Sequence, residues 1–142
     1  MINSAEEFCA LRVSDDPEEY TRAAYDTASV EVWADVIAKY PDMRFWVAQN
    51  KTVPLSILEV LAQDPDENVR SMVARKRKLS ESIQLILARD VDPSVRGALA
   101  RNAKVTPAVL SLLLADTDSD IRRLATERLA TRSRNGLTRQ PS

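Results

Sequence analysis

From Val47 onward, short apolar stripes alternate with polar, aspartate-rich breaks at a fixed interval. Residues 47–72, 73–98 and 99–124 align without gaps at a period of 26. Ile57, Ile83 and Val109 fall in one column, and Leu61, Leu87 and Leu113 in another. Asp64, Asp90 and Asp116 share a third, and Asp66, Asp92 and Asp118 a fourth. Val69, Val95 and Ile121 precede Arg70, Arg96 and Arg122. Within each period the spacing predicts two short helices. In the first, Ile57, Leu58, Val60 and Leu61 form one apolar face over 55–63. Ser56, Ser82, and Thr106 before Pro107 are the expected starts of these first helices. The second helix follows the aspartate-rich break, where Asp66 or a neighbour is placed to accept from the free first-turn N–H groups. Val69, Met72 and Val73 make its buried stripe. Neither helix can bury its stripe alone, so the pattern predicts stacking of successive units around one continuous core.

Upstream the pattern weakens. Residues 32–50 fit if the central loop is two residues shorter, which pairs Trp33 with Ile57, Val36 with Val60 and Arg44 with Arg70. Residues 16–22, DPEEYTR, match DPDENVR at 64–70. Ser4 with Glu7 forms a capping-box pattern for a helix carrying Phe8 and Leu11, and Asp16 with Pro17 starts another. The expected architecture is all-α, an α-solenoid of about five two-helix repeats in a single domain over 1–130. A degenerate cap repeat at 4–26 precedes repeats at about 27–50, 51–76, 77–102 and 103–130. Residues 131–142 are polar and basic without apolar periodicity and are expected to form a flexible tail.

The unit seen best in LARNAKVTPAVLSLLLADTDSDIRRLA (99–125) resembles the variant leucine-rich repeat family, a short relative of HEAT and armadillo repeats. The resemblance spans roughly 27–130. It implies a right-handed superhelix of paired helices, the second sometimes tightened toward 3₁₀ geometry. The founding type of that family carries a cysteine cluster for an iron–sulfur centre. This chain has a single cysteine, Cys9, so no such cofactor is implied here. The Asp…Arg pairs six residues apart (Asp64/Arg70, Asp90/Arg96, Asp116/Arg122 and, upstream, Asp16/Arg22) resemble the ladder of HEAT repeats. Recurrence at every rung marks them as scaffold rather than catalytic groups. Arg44 has Ala38 six residues before it and is expected to stand outside the ladder.

Composition narrows the chemistry. The chain has no histidine, two glycines and one cysteine. It therefore lacks the commonest general base, any phosphate-loop glycine pattern and any Cys/His zinc set. The Asp-x-Asp breaks lack the turn glycine and terminal glutamate of calcium loops, so capping is the expected role of their carboxylates. No catalytic, cofactor or metal residue is expected. Cys9, next to Phe8, is expected to be a small buried hydrophobe. The N-terminus carries no secretory pattern and no apolar run approaches membrane-spanning length, which points to a cytoplasmic protein.

Charge separates the two halves. Residues 1–69 sum to −9 and residues 70–142 to +8, and all seven aromatic residues lie within the first 46. Two columns on the second helices flank the core stripe: Phe45, Ser71, Gly97, Arg123, and Gln49, Arg75, Arg101, Glu127. In α-solenoids the second helices line the concave face, so Phe45, Gln49, Arg75, Arg101 and Arg123 are candidate partner contacts. Lys76 and Arg77, in the basic run 75–78, join them. Trp33 and Trp46 align with core positions. The expected function is a non-enzymatic protein-binding module, an adaptor or an inhibitor or immunity-type protein of a bacterium. The alternative is nucleic-acid binding through the basic half.

Overall fold

The computed structural model describes residues 1–138, with side chains through Asn135. Among these residues the fold is entirely helical apart from one isolated parallel bridge between Ile2 and Ala28. Two compact units divide at Val73 and Ala74.

The first unit holds α1 (Ala5–Val13), α2 (Pro17–Tyr25), α3 (Val30–Lys39), a 3₁₀ turn (Pro41–Met43), α4 (Arg44–Gln49) and α5 (Leu55–Leu61), and it takes in nearly all of α6 (Glu67–Ala74). Within it α1 packs on α2 and α3, α3 on α4 and α5, and α2 on α4. Ser4, Asp16 and Ser29 cap α1, α2 and α3 through their side-chain oxygens. The Ser4 hydroxyl accepts from Glu7 N, while the Glu7 carboxylate turns back to Asn3 N rather than to the cap residue itself. Phe8 and Trp33, both fully buried, meet edge to face at 5.2 Å, and Ile2, Val36, Val47 and Leu61 complete the core around them. Ile2 is held there by its N–H, which donates to Thr27 O at 2.7 Å.

The second unit holds α7 (Glu81–Ala88), α8 (Pro93–Arg101), α9 (Pro107–Leu113) and α10 (Ser119–Thr138). Here α7 packs on α8 and α9, and α10 packs on α8 and α9. Ile83, Leu87, Val95, Leu99, Val109 and Leu113 form the core at the positions the 26-residue columns assign. Ser80, Asp92 and Thr106 cap α7, α8 and α9.

Several expectations shift. Ser56 and Ser82 do not start their helices. Pro54 and Ser80 occupy the cap positions, in step with Thr106 at 26 residues. The cap of α3, Ser29, stands 25 residues before Pro54. The loop before Arg44 is thus one residue shorter than its successors, not two, and Trp33 and Val36 correspond to Leu58 and Leu61. Burial agrees with this register: Val36 is fully buried like Leu61, whereas Val60 is 54% exposed. Trp46 is half-buried rather than in the core, and Cys9 is half-buried. The tail also differs, because α10 continues through Thr138. Arg128 donates to Arg101 O at 2.9 Å, and Arg132 donates to Ala103 O at 3.0 Å and to Val105 O. These bonds cap the carbonyl end of α8 and its following loop, and they hold the helix where apolar periodicity has run out. Residues 139–142 of the expected tail lie outside the described residues.

The Asp…Arg ladder has a different wiring from the one its spacing suggests. Each arginine bonds the backbone carbonyl, not the carboxylate, of the aspartate six residues earlier. Arg70, Arg96 and Arg122 donate to Asp64 O, Asp90 O and Asp116 O at 2.8, 2.7 and 2.6 Å. The carboxylates of Asp64, Asp90 and Asp116 accept from the amides two residues on, and those of Asp64 and Asp116 also meet an arginine twenty residues earlier. Arg96 Nε lies 2.7 Å from Asp116 Oδ2. Arg44 does belong to the ladder, reaching Asp64 at 3.4 Å and donating to Ile37 O. Asp16 and Arg22 do not pair: Asp16 caps α2, and Arg22 meets Glu7 and Asp26.

Candidate functional site

The last turn of α1, the exposed side of α2 and the end of α4 enclose a cleft of about 370 Å³. Its lining is Arg12, Tyr20, Thr21, Ala24, Tyr25 and Gln49. Tyr20 and Ala24, and Thr21 and Tyr25, are i,i+4 pairs on α2, so all four share one side of that helix. Alanine at 24 leaves the space that a longer side chain would fill.

Among the described residues Arg12 is the one charged residue in the lining. Its guanidinium lies 3.4 Å from the centroid of the Trp46 ring, a cation–π stack, and Phe45 braces the same ring edge-on at 4.9 Å. The Trp46 ring is therefore held on one side by Phe45 and covered by Arg12. In that arrangement Trp46 is half-buried rather than in the core its alignment suggests.

The cleft cation differs from its neighbours. Arg22, Lys39 and Arg44 each meet a carboxylate, at 3.0, 3.1 and 3.4 Å. Arg12 meets a ring, and its Nε lies out of solvent with no acceptor among the described residues. The hydroxyls of Tyr20, Thr21 and Tyr25 form no hydrogen bond among the described residues, although Tyr20 and Tyr25 are 42% and 62% exposed. Arg12 and three hydroxyl-bearing residues thus line one space, and their side chains form no hydrogen bond among the described residues.

Of the sequence-derived candidates, Gln49 lines the cleft and Phe45 supports it through Trp46. Arg75, Lys76, Arg77, Arg101 and Arg123 belong to the second unit and none lines it. Arg75, Arg77, Arg101 and Arg123 are exposed there, and Lys76 is half-buried. Gly97, expected on an open column, is buried under Arg101: a Cβ at Gly97 would stand 3.1 Å from Arg101 Nη1. Arg123 pairs with Asp120 on the surface, a contact of small energetic weight. Arg12, Tyr20, Thr21 and Tyr25 fall in none of the repeat columns. Those residues sit in the degenerate first repeat, where column matching has least to align, and the i,i+4 spacing on α2 is the signal that marks them.

Burial, with Glu6 nearby, pushes the Cys9 thiol above its ordinary range, which disfavours the thiolate. Burial also raises the Tyr40 hydroxyl, and Glu6, to which it donates at 3.3 Å, adds to the effect. No group of three His, Cys, Asp or Glu placed to hold a metal ion occurs among the described residues. No described helix is long and apolar enough to cross a membrane.

No family model matches the sequence, and no curated protein or solved structure shows a significant match to it.

Proposed function

We propose that this chain is a non-enzymatic protein-binding module, of the adaptor or inhibitor and immunity kind. In this reading its helix pairs are repeats of a right-handed α-solenoid, with a cap at about 4–26 and four repeats over 27–130, akin to variant leucine-rich repeats. The repeat reading is supported by the caps at 54, 80 and 106 and by the arginine-to-carbonyl bonds at 70, 96 and 122, which keep the same 26-residue step. The binding reading rests on the cleft of α1, α2 and α4. Exposed tyrosines beside an arginine are the side chains that most often anchor protein interfaces, and here they line a concavity without hydrogen-bond partners among the described residues.

The test is affinity capture from the native host with three baits: the wild type, a Tyr20→Ala/Tyr25→Ala cleft variant, and an Arg101→Ala/Arg123→Ala variant of the second unit. The reading expects one protein held by the wild type and the arginine variant and lost by the cleft variant. Capture indifferent to the tyrosines contradicts it.

A second reading, nucleic-acid binding, draws on the exposed Arg75, Arg77, Arg101 and Arg123 of the second unit. Phosphate contacts by several such cations give steeply salt-dependent binding. Gel shifts at about 50 mM salt that show no retardation would remove it.

A further inference from the structure

The geometry points to a specific occupant for the cleft: one carboxylate side chain, aspartate or glutamate, of a partner protein, taken by Arg12 and flanked by Tyr20 and Tyr25. This inference rests on the protein-binding reading above and narrows it.

Three observations carry it. First, among the described residues Arg12 meets no carboxylate, whereas Arg22, Lys39 and Arg44 each do. Stacking on Trp46 fixes the plane of its guanidinium in advance, so its fork of donors can meet a carboxylate with little further ordering. Second, Tyr20, Thr21 and Tyr25 line the same space, and their hydroxyls have no hydrogen-bond partner among the described residues. They can donate to the oxygens the guanidinium leaves open, while the tyrosine rings cover the aliphatic stem. Third, about 370 Å³ exceeds what a free carboxylate needs and suits a side chain entering with its flanking backbone.

Charge decides between a carboxylate and a phosphate. A phosphate group carries close to two negative charges at neutral pH and is usually met by several cations. The cleft offers one, and Asp15, Glu18 and Glu19 stand exposed at the neighbouring α1–α2 turn. Arg12 alone balances a monoanion but not a dianion, and the acidic rim repels the dianion more strongly. The same rim favours a partner segment whose residues beside the acid are neutral or basic.

The experiment selects random dodecapeptides by display on the full chain, then resynthesises the winners with each Asp changed to Asn and each Glu to Gln. The expected result is enrichment of peptides with one indispensable acid, whose amide version binds about tenfold or more weakly, the range of a charged hydrogen bond. Arg12→Gln should weaken the acidic peptide by a similar factor and the amide peptide hardly at all. Ala24→Met, which fills the cleft and leaves Arg12 in place, should also abolish binding; it serves as the independent variant if Arg12→Gln loses its fold by circular dichroism. Winners that tolerate the amide exchange, or that require phosphorylation, overturn the carboxylate assignment while leaving a protein-binding module intact. Winners whose binding ignores both Arg12→Gln and Ala24→Met remove the cleft as the site. If no peptide is enriched and the host capture also yields no protein, the protein-binding reading fails with it.

Discussion

Asp116 shows how much one side chain carries in this fold. One oxygen accepts from Asp118 N at 2.9 Å, and the two together take Arg96 at 2.7 and 3.2 Å, in a site where both side chains are largely buried. Burial alone would raise its carboxyl, but the Arg96 hydrogen bond and the Asp118 amide outweigh that and hold it below the ordinary aspartate value. Its folded-state pKa is therefore depressed, so the stabilisation is complete above the unfolded value of about 4 and is lost as pH falls through the folded pKa. Asp116→Asn leaves Arg96 buried without a counter-ion, and a loss of about 3 kcal/mol in urea unfolding at neutral pH is expected. As pH falls below about 4 the wild type should lose more stability than this variant, so the two curves converge in acid. Curves that stay parallel would remove Asp116 from the acid response.

Asn102 is a second such residue, and no motif announced it. Its buried amide donates to Ala74 O and Lys76 O at 2.8 and 2.7 Å, and its oxygen accepts from Lys104 N. Asn50, 52 residues earlier, donates in the same way to Ala23 O and Asp26 O and accepts from Thr52 N. Asn102→Ala strips two carbonyls of their donor in a buried turn. The expected cost is about 2–3 kcal/mol by denaturant unfolding, and Asn102→Asp should not rescue it, because a carboxylate cannot donate to carbonyls. The period of 52 explains why the column escaped notice: the intervening position is Lys76, so the pattern skips a repeat.

Among the elements, legibility followed the local rules. The 26-residue columns placed the first and second helices of the regular repeats because their stripes face a core on one side only. Ser4, Asp16 and Thr106 were readable as caps. Ser80 was not, because Ser82 offers the same chemistry two residues later and only the backbone decides between them. The length of the last helix was hidden for a different reason. Residues past Thr131 have no apolar stripe, and what holds that stretch is Arg128 and Arg132 reaching carbonyls 27 to 29 residues back. Burial, and Arg128 beside it, lower Arg132 from the usual guanidinium value, yet the charge keeps its carbonyl partners. Arg132→Ala should fray the end of α10 and speed amide hydrogen exchange beyond residue 131 by about tenfold or more, with little change in α9. Unchanged exchange there would show that helix propensity alone sustains the segment.

At the scale of the whole molecule, the chain separates its charges and its aromatic residues along the sequence, and that much was visible from composition. What composition could not show is that the aromatic half contains a cleft whose only cation among the described residues stacks on a ring. The basic candidates stand on second-helix columns and in the run 75–78, whereas a recognition site is under no obligation to repeat. Gln49 and Phe45 were the two positions where both lines of reasoning met.

If a partner is recognised in the cleft of α1, α2 and α4, a probe set in its lining will touch that partner. The most direct test is photo-cross-linking in cells of the native host. A benzophenone side chain is placed at Thr21, in the lining, or at Leu112, an exposed apolar position of the second unit. A discrete adduct from position 21 and none from position 112 is the predicted result. An adduct from position 112 with none from position 21 would contradict the account.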